Sequence, residues 1–102
     1  MNQAQLMAQV KKMQAEMEKA QGELANTVVQ GSAANGLVTV DMTCDQRMKS
    51  IKIAKDAVDP DDIETLEDLV TVAVNDALTK SNETAQKRMG GVTGGMRIPG
   101  LM

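Results

Sequence analysis

The chain has 102 residues and a net charge of −3, with 14 acidic and 11 basic side chains, nine Met, one Cys and no Phe, Trp, Tyr or His. That length makes a single domain, and with no aromatic side chain its core must be built from Leu, Ile, Val, Met and Ala, so extra burial from a partner chain is expected. The lack of His removes the commonest acid–base residue and metal ligand, and one Cys cannot form an internal disulfide and favours a reducing compartment.

The first residues do not read as a signal peptide, and no apolar run approaches membrane-spanning length. A cytoplasmic protein without membrane contact is the expectation. The charge is unevenly spread. Residues 56–79 carry eight acidic groups and no basic one, whereas residues 80–102 carry four basic groups and one acidic. A basic surface is therefore compatible with an acidic total.

The spacing predicts a first helix over residues 3–24. Leu6, Val10, Met13, Met17, Ala20 and Leu24 recur alternately four and three residues apart. That is a heptad seam, with Gln, Lys and Glu filling the other faces. Lys12 and Glu16 are spaced as i,i+4 partners.

An antiparallel three-stranded meander is expected next. Its first strand covers residues 27–33. Asn35-Gly36 is a hairpin signal, because both residues tolerate positive φ. The second strand, residues 37–43, sets Val38, Val40 and Met42 on one face and Thr39 and Asp41 on the other. Asp45-Gln46 forms the following turn. The third strand, residues 47–53, points Ile51 and Ile53 inward and Ser50 and Lys52 outward. A sheet with one polar face is covered on one side only.

The second helix is predicted to start with Asp59 as N-cap and Pro60 in the first helical position. Asp61, Asp62 and Glu64 suit the positive end of its dipole. It should run to Met89 and stop at Gly90-Gly91. Its apolar stripe is Ile63, Leu66, Leu69, Val70, Ala73, Val74 and Ala77. Beyond Leu78 the stripe turns polar, at Ser81, Thr84 and Arg88, so this half is expected to be unburied in its own subunit. A helix of about 28 residues spans roughly 42 Å. A seven-residue strand spans about 23 Å. One helix end must overhang the sheet, with the start of the first helix beside it if the two run antiparallel. Residues 1–89 form the domain, and residues 90–102 a flexible Gly-rich tail.

Catalysis finds little support, a metal-dependent enzyme being a distant third reading, and no cofactor, metal or small-molecule substrate is expected. Cys44 has no His partner and reads as a small core or edge residue. The carboxylates Asp56, Asp59, Asp61, Asp62 and Glu64 lack the spacing of a calcium loop and suit helix capping. The tail lacks Gly-Lys-Ser/Thr and leads into no helix, so it is no phosphate loop.

The basic residues remain. Lys12 and Lys19 are one heptad apart opposite the apolar seam, with Lys11 close by. Lys80 and Lys87 are likewise one heptad apart on the second helix, with Arg88 alongside. Charge alone makes these an ordinary solvated helix surface. Lys49, Lys52 and Lys55 form a weaker second patch. With no aromatic residue to stack on exposed bases, duplex contact through phosphates is the available mode of nucleic-acid binding.

Residues 66–77 read Leu-Glu-Asp-Leu-Val-Thr-Val-Ala-Val-Asn-Asp-Ala; the chain closes with Met89-Gly-Gly-Val-Thr-Gly-Gly-Met96 and Pro99-Gly-Leu-Met102. With the Met/Gln/Lys-rich amphipathic start and the strand-forming middle, this resembles the YbaB/EbfC family of small bacterial nucleoid-associated proteins over essentially the whole chain. The resemblance implies an α+β fold of order α-β-β-β-α and a tweezer-like homodimer whose helical arms straddle double-stranded DNA. It implies a place in the nucleoid and a role in nucleoid organisation and regulation of transcription. On that reading Lys11, Lys12, Lys19, Lys80, Lys87 and Arg88 contact phosphates, with Gln5, Gln9 and Asn82 as added hydrogen-bond donors and Arg97 as a loose contact. Asp76 or Glu83, if turned to the DNA, would oppose it. The rival expectation is a protein-interaction adaptor or prefoldin-like holdase using the apolar seam without DNA.

Overall fold

The computed structural model describes residues 2–92. Helix α1 (Gln3–Ala25) leads into strands β1 (Val28–Ala33), β2 (Val38–Thr43) and β3 (Met48–Ile53), and helix α2 (Ile63–Val92) follows. The strands form one antiparallel sheet in the order β1-β2-β3. The expected α-β-β-β-α fold is therefore present, with each strand starting one residue later than the sequence suggests.

Alternation in β2 decides which face of the sheet is covered. Val38, Val40 and Met42 are buried, and Thr39, Asp41 and Thr43 between them are partly exposed. Helix α2 lies over that face. Leu66, Leu69, Val70, Val74 and Leu78 pack around a centre formed by Ala73 and Ala77, which are fully buried with Val38 and Val40. Burying each of the two valines contributes about 1.5–3 kcal/mol.

The small residues have a geometric reason. At Gly31 in β1, an added Cβ would lie 2.3 Å from the Ala73 carbonyl oxygen and 2.4 Å from the Ala77 nitrogen. The strand backbone rides directly on the helix backbone there, which only Gly permits.

Both turns of the meander use positive φ. The first is a four-residue loop, with Ala34, Asn35 and Gly36 all in that region and Ala33 paired with Val38. It is one residue longer than the expected strand limits allow, because Leu37 belongs to the loop. Gln46 provides the positive φ of the second turn. Between β2 and β3 the register shifts, with Asp41 opposite Ser50 and Met42 opposite Met48. This bulge puts Met48 on the same face as Ile51 and Ile53.

Strand β3 departs from expectation. Ile51 and Ile53 do share the face of their partners Val40 and Val38. They remain 40% and 42% exposed, however, because α2 packs over β1 and β2 and leaves β3 uncovered.

The start of α2 is also corrected. Pro60 is not helical. The Asp59 carboxylate accepts from the Asp61 N–H at 2.9 Å, closing a turn. Asp62 then caps the helix, its carboxylate taking the Thr65 N–H at 3.3 Å and the Thr65 hydroxyl at 2.6 Å. At the other end α2 runs through Gly90 and Gly91 to Val92, past the expected stop. The expected tail beyond Val92 lies outside the described residues.

Candidate nucleic-acid interface

The two helices meet beyond one end of the sheet. Cys44 is buried at the root, as a core residue. Its N–H is shared between the Leu24 carbonyl at 3.1 Å and the Thr27 carbonyl at 2.9 Å, fixing where α1 leaves the sheet. Asn26 and Thr27 close that helix end, their side chains donating to the Gly22 and Glu23 carbonyls. Ala20 and Leu24 are buried at the root; residues 3–19 are all exposed. The heptad seam is thus uncovered along most of its length, with Leu6 53% and Met13 47% exposed. The molecule measures 70 × 25 × 17 Å, and α1 projects as an arm.

The second half of α2 forms the base of this arm, and it is less exposed than its polar stripe suggests. Ser81 is fully buried, donating to the Thr43 carbonyl at 3.2 Å. Thr84, Ala85, Arg88 and Met89 are half-buried. Arg88 donates from Nε to Glu23 Oε2 at 2.6 Å, and Glu16 also adds to its field. The contact holds the Glu23 carboxyl below the ordinary carboxylate range and raises the Arg88 guanidinium above its usual value. Glu16 and Lys12, matched by sequence spacing, form no ion pair with each other among the described residues.

Lys80 is not on the arm. Its ammonium donates to the Gln30 carbonyl at 2.9 Å and pairs with Asp76 at 3.0 Å. Asp76 in turn accepts the Ser32 N–H at 3.0 Å. That N–H, with Lys80 second, holds the Asp76 carboxyl below its ordinary range. Together Asp76 and Lys80 satisfy backbone groups along the free edge of β1. Asp76 therefore faces the sheet. Asn82 is engaged as well, accepting from the Gln46 amide.

Of the six cations singled out by sequence, Lys11, Lys12, Lys19 and Lys87 are exposed and outside the two ion pairs of the described residues. Lys11, Lys12 and Lys19 lie along the arm, and Lys87 lies near its base. Their partnered counterparts, Lys80 and Arg88, hold the fold together. Sequence reasoning did not find Glu23 as a partner. Asp76 carried a signal, its i,i+4 spacing to Lys80.

An α-β-β-β-α unit with one long exposed helix bearing Lys11, Lys12 and Lys19 defines a class, and comparison with known proteins agrees. The family model described as the YbaB/EbfC DNA-binding family matches residues 1–96. A nucleoid-associated protein of Roseiflexus sp. (strain RS-1) is 49% identical over 99% of this chain and 100% of its own length. One from Chloroflexus aurantiacus (strain J-10-fl) is 47% identical over 95% of this chain and 97% of its own. In fold, an uncharacterized protein from Helicobacter pylori superimposes with a TM-score of 0.81 at 17% identity, covering 91% of this chain and 98% of that one. The chain belongs to the YbaB/EbfC DNA-binding family.

Proposed function

We propose that this protein is a nucleoid-associated protein that binds double-stranded DNA as a homodimer, and that it acts in nucleoid organisation and gene regulation. The observation that carries the reading is the unpartnered row Lys11, Lys12 and Lys19 on a helix that stands clear of the sheet. One arm offers phosphate contacts on one side of a duplex, and two arms from two copies enclose it. Lys87 adds a cation near the base. Gln5 and Gln9, exposed on α1, supply hydrogen-bond donors. Lys80 and Arg88 support the site indirectly, Lys80 by closing the β1 edge and Arg88 by bracing the arm.

Phosphate contacts position a protein without reading sequence. Binding is therefore expected to be weakly selective and steep in salt. The family is a DNA-binding one. The acidic head of α2 is separated from the arm by the length of the sheet, which keeps it away from the DNA.

The exposed seam Leu6, Val10, Met13 and Met17 favours the second reading, an apolar surface for capturing protein segments. Fluorescence anisotropy separates the two. The DNA reading expects a labelled duplex to be bound at low salt and released steadily as salt rises, with single strands of the same length bound no better. A holdase would leave duplex anisotropy unchanged at every salt concentration and suppress aggregation of an unfolded client.

A further inference from the structure

The arm leaves one cationic row of the chain unused. Strand β3 and its flanks, residues 47–55, carry Arg47, Lys49, Lys52 and Lys55 and no acid. All four are exposed, and none belongs to the ion pairs of the described residues. β3 is an outer strand of the sheet. Its neighbour β2 turns Val38, Val40 and Met42 to α2, so Thr39 and Asp41 mark the opposite face. Lys52 pairs with Thr39 and so lies on that face, away from α2. Lys49 is the extra residue of the bulge, between Ser50 opposite Asp41 and Met48 opposite Met42.

The neighbouring acids are engaged. Asp41 accepts from the Gln30 amide at 3.0 Å and the Ser50 hydroxyl at 3.3 Å, and Asp45 accepts from the Thr43 hydroxyl. Asp56 is exposed beside Lys55 and weakens that end of the row. Lysines on an outer strand also deter edge-to-edge pairing. That purpose does not account for Arg47, which precedes the strand, or for Lys55, which follows it.

Position separates this row from the arm. The turn between β2 and β3 sits at the root of the arm, where Asp45 lines a cavity with Gln21, Leu24 and Met89. Helix α1 is about 34 Å long, half of the molecule's 70 Å, so arm and sheet lie end to end. From the root, α1 runs one way and β3 the other. Lys12 is roughly 18 Å of helix from Leu24. Lys52, opposite Thr39, is roughly 17 Å of strand from the level of Cys44. Lys12 and Lys52 are thus on the order of 35 Å apart, about three major-groove widths. A duplex gripped across the arm does not reach β3.

We propose that the β3 row is a second phosphate-contact surface that takes a second DNA duplex, so that the protein bridges two DNA segments. The inference rests on the DNA reading above and extends it from binding to bridging.

A bead assay tests it, with a biotinylated duplex fixed to streptavidin and a fluorescent duplex of the same sequence in solution. Wild type should retain the fluorescent duplex on the beads, and salt should release it. Arg47→Ala/Lys49→Ala/Lys52→Ala should lose that retention, while its anisotropy titration with a single duplex and its Tm stay as in wild type. Retention by this variant equal to wild type would overturn the proposal, since the two arms of a dimer would then hold the two duplexes. A variant that loses single-duplex affinity as well would also overturn it, by placing the row inside the first contact. Wild type that binds duplex in anisotropy but retains none on the beads would overturn bridging alone. Wild type that binds no duplex in either assay would remove the DNA reading itself, and this inference with it.

Discussion

Arg88 and Glu23 lie 65 residues apart in the chain and 2.6 Å apart in the fold, joining α2 to the last turn of α1. The pair stands where α1 leaves the sheet, so it governs the direction of the arm. Arg88 is partly exposed but engaged, which makes it a brace. Arg88→Ala should reduce duplex affinity modestly by letting the arm wander, while leaving the slope of log affinity against log salt unchanged. That slope counts phosphate contacts, each contributing about 0.9. A slope reduced by a whole contact per copy would instead make Arg88 a phosphate ligand.

Asp76 gives the fold an acid-sensitive edge. Its carboxyl is held below the ordinary range, first by the Ser32 N–H and then by Lys80. The folded state therefore binds a proton there less readily than the unfolded chain. The resulting stability is present above the ordinary carboxylate range and is lost as pH falls through the depressed folded value. Glu23 acts in the same sense through Arg88. Asp76→Asn should lower Tm at neutral pH and flatten the acid-side decline, measured by circular dichroism melts across pH. A variant whose Tm runs parallel to wild type at every pH would remove Asp76 from the linkage.

Gly31 sits against backbone, not against a side chain that could turn aside. A Cβ there would meet the Ala73 oxygen, the Ala77 nitrogen and the Ala77 Cα, the last at 2.8 Å. Gly31→Ala must push α2 off β1. The expected loss is about 1–3 kcal/mol, as for overpacking. Tm should fall by several degrees. An unchanged melt would contradict the close approach. Gly22→Ala is the control, since its Cβ would meet nothing within 4 Å and a helix favours Ala over Gly.

Periodicity made most of this fold legible. The 4-3 spacing from Leu6 to Leu24 gave α1 to within a residue at its end. The alternation in β2 identified the buried face, but the polar switch after Leu78 misled, since Ser81 is fully buried and Thr84, Ala85, Arg88 and Met89 are half-buried against the end of α1 and the sheet. The misses have local or tertiary causes. Asp59-Pro60 has the chemistry of a helix start, but the same chemistry serves a turn, and Asp62 competes for the cap. Ile51 and Ile53 lie on the inward-facing side by alternation, yet the width of sheet that α2 covers is not written in the strand itself. The bulge that turns Met48 to that face is a register property of two strands.

The candidate site was legible as a set of cations and not as a set of roles. Lys11, Lys12 and Lys19 are exposed because α1 has nothing alongside it for most of its length. Lys80 and Lys87 look equivalent in sequence, one heptad apart. Only the fold brings Gln30, 50 residues from Lys80, within 2.9 Å of its ammonium. Arg88 differs from its neighbour Lys87 for the same reason, since Glu23 reaches it from the other helix.

The proposed hold of the α1 arm lysines on DNA is read out by the salt slope of duplex binding in two variants. Lys11→Ala/Lys12→Ala should weaken binding and flatten the slope by roughly two to four units across both copies of a dimer. Lys80→Ala should lower Tm and leave the slope as in wild type. An unchanged slope in the arm variant, or a flattened one in Lys80→Ala, would place the phosphate contacts elsewhere than on the arm.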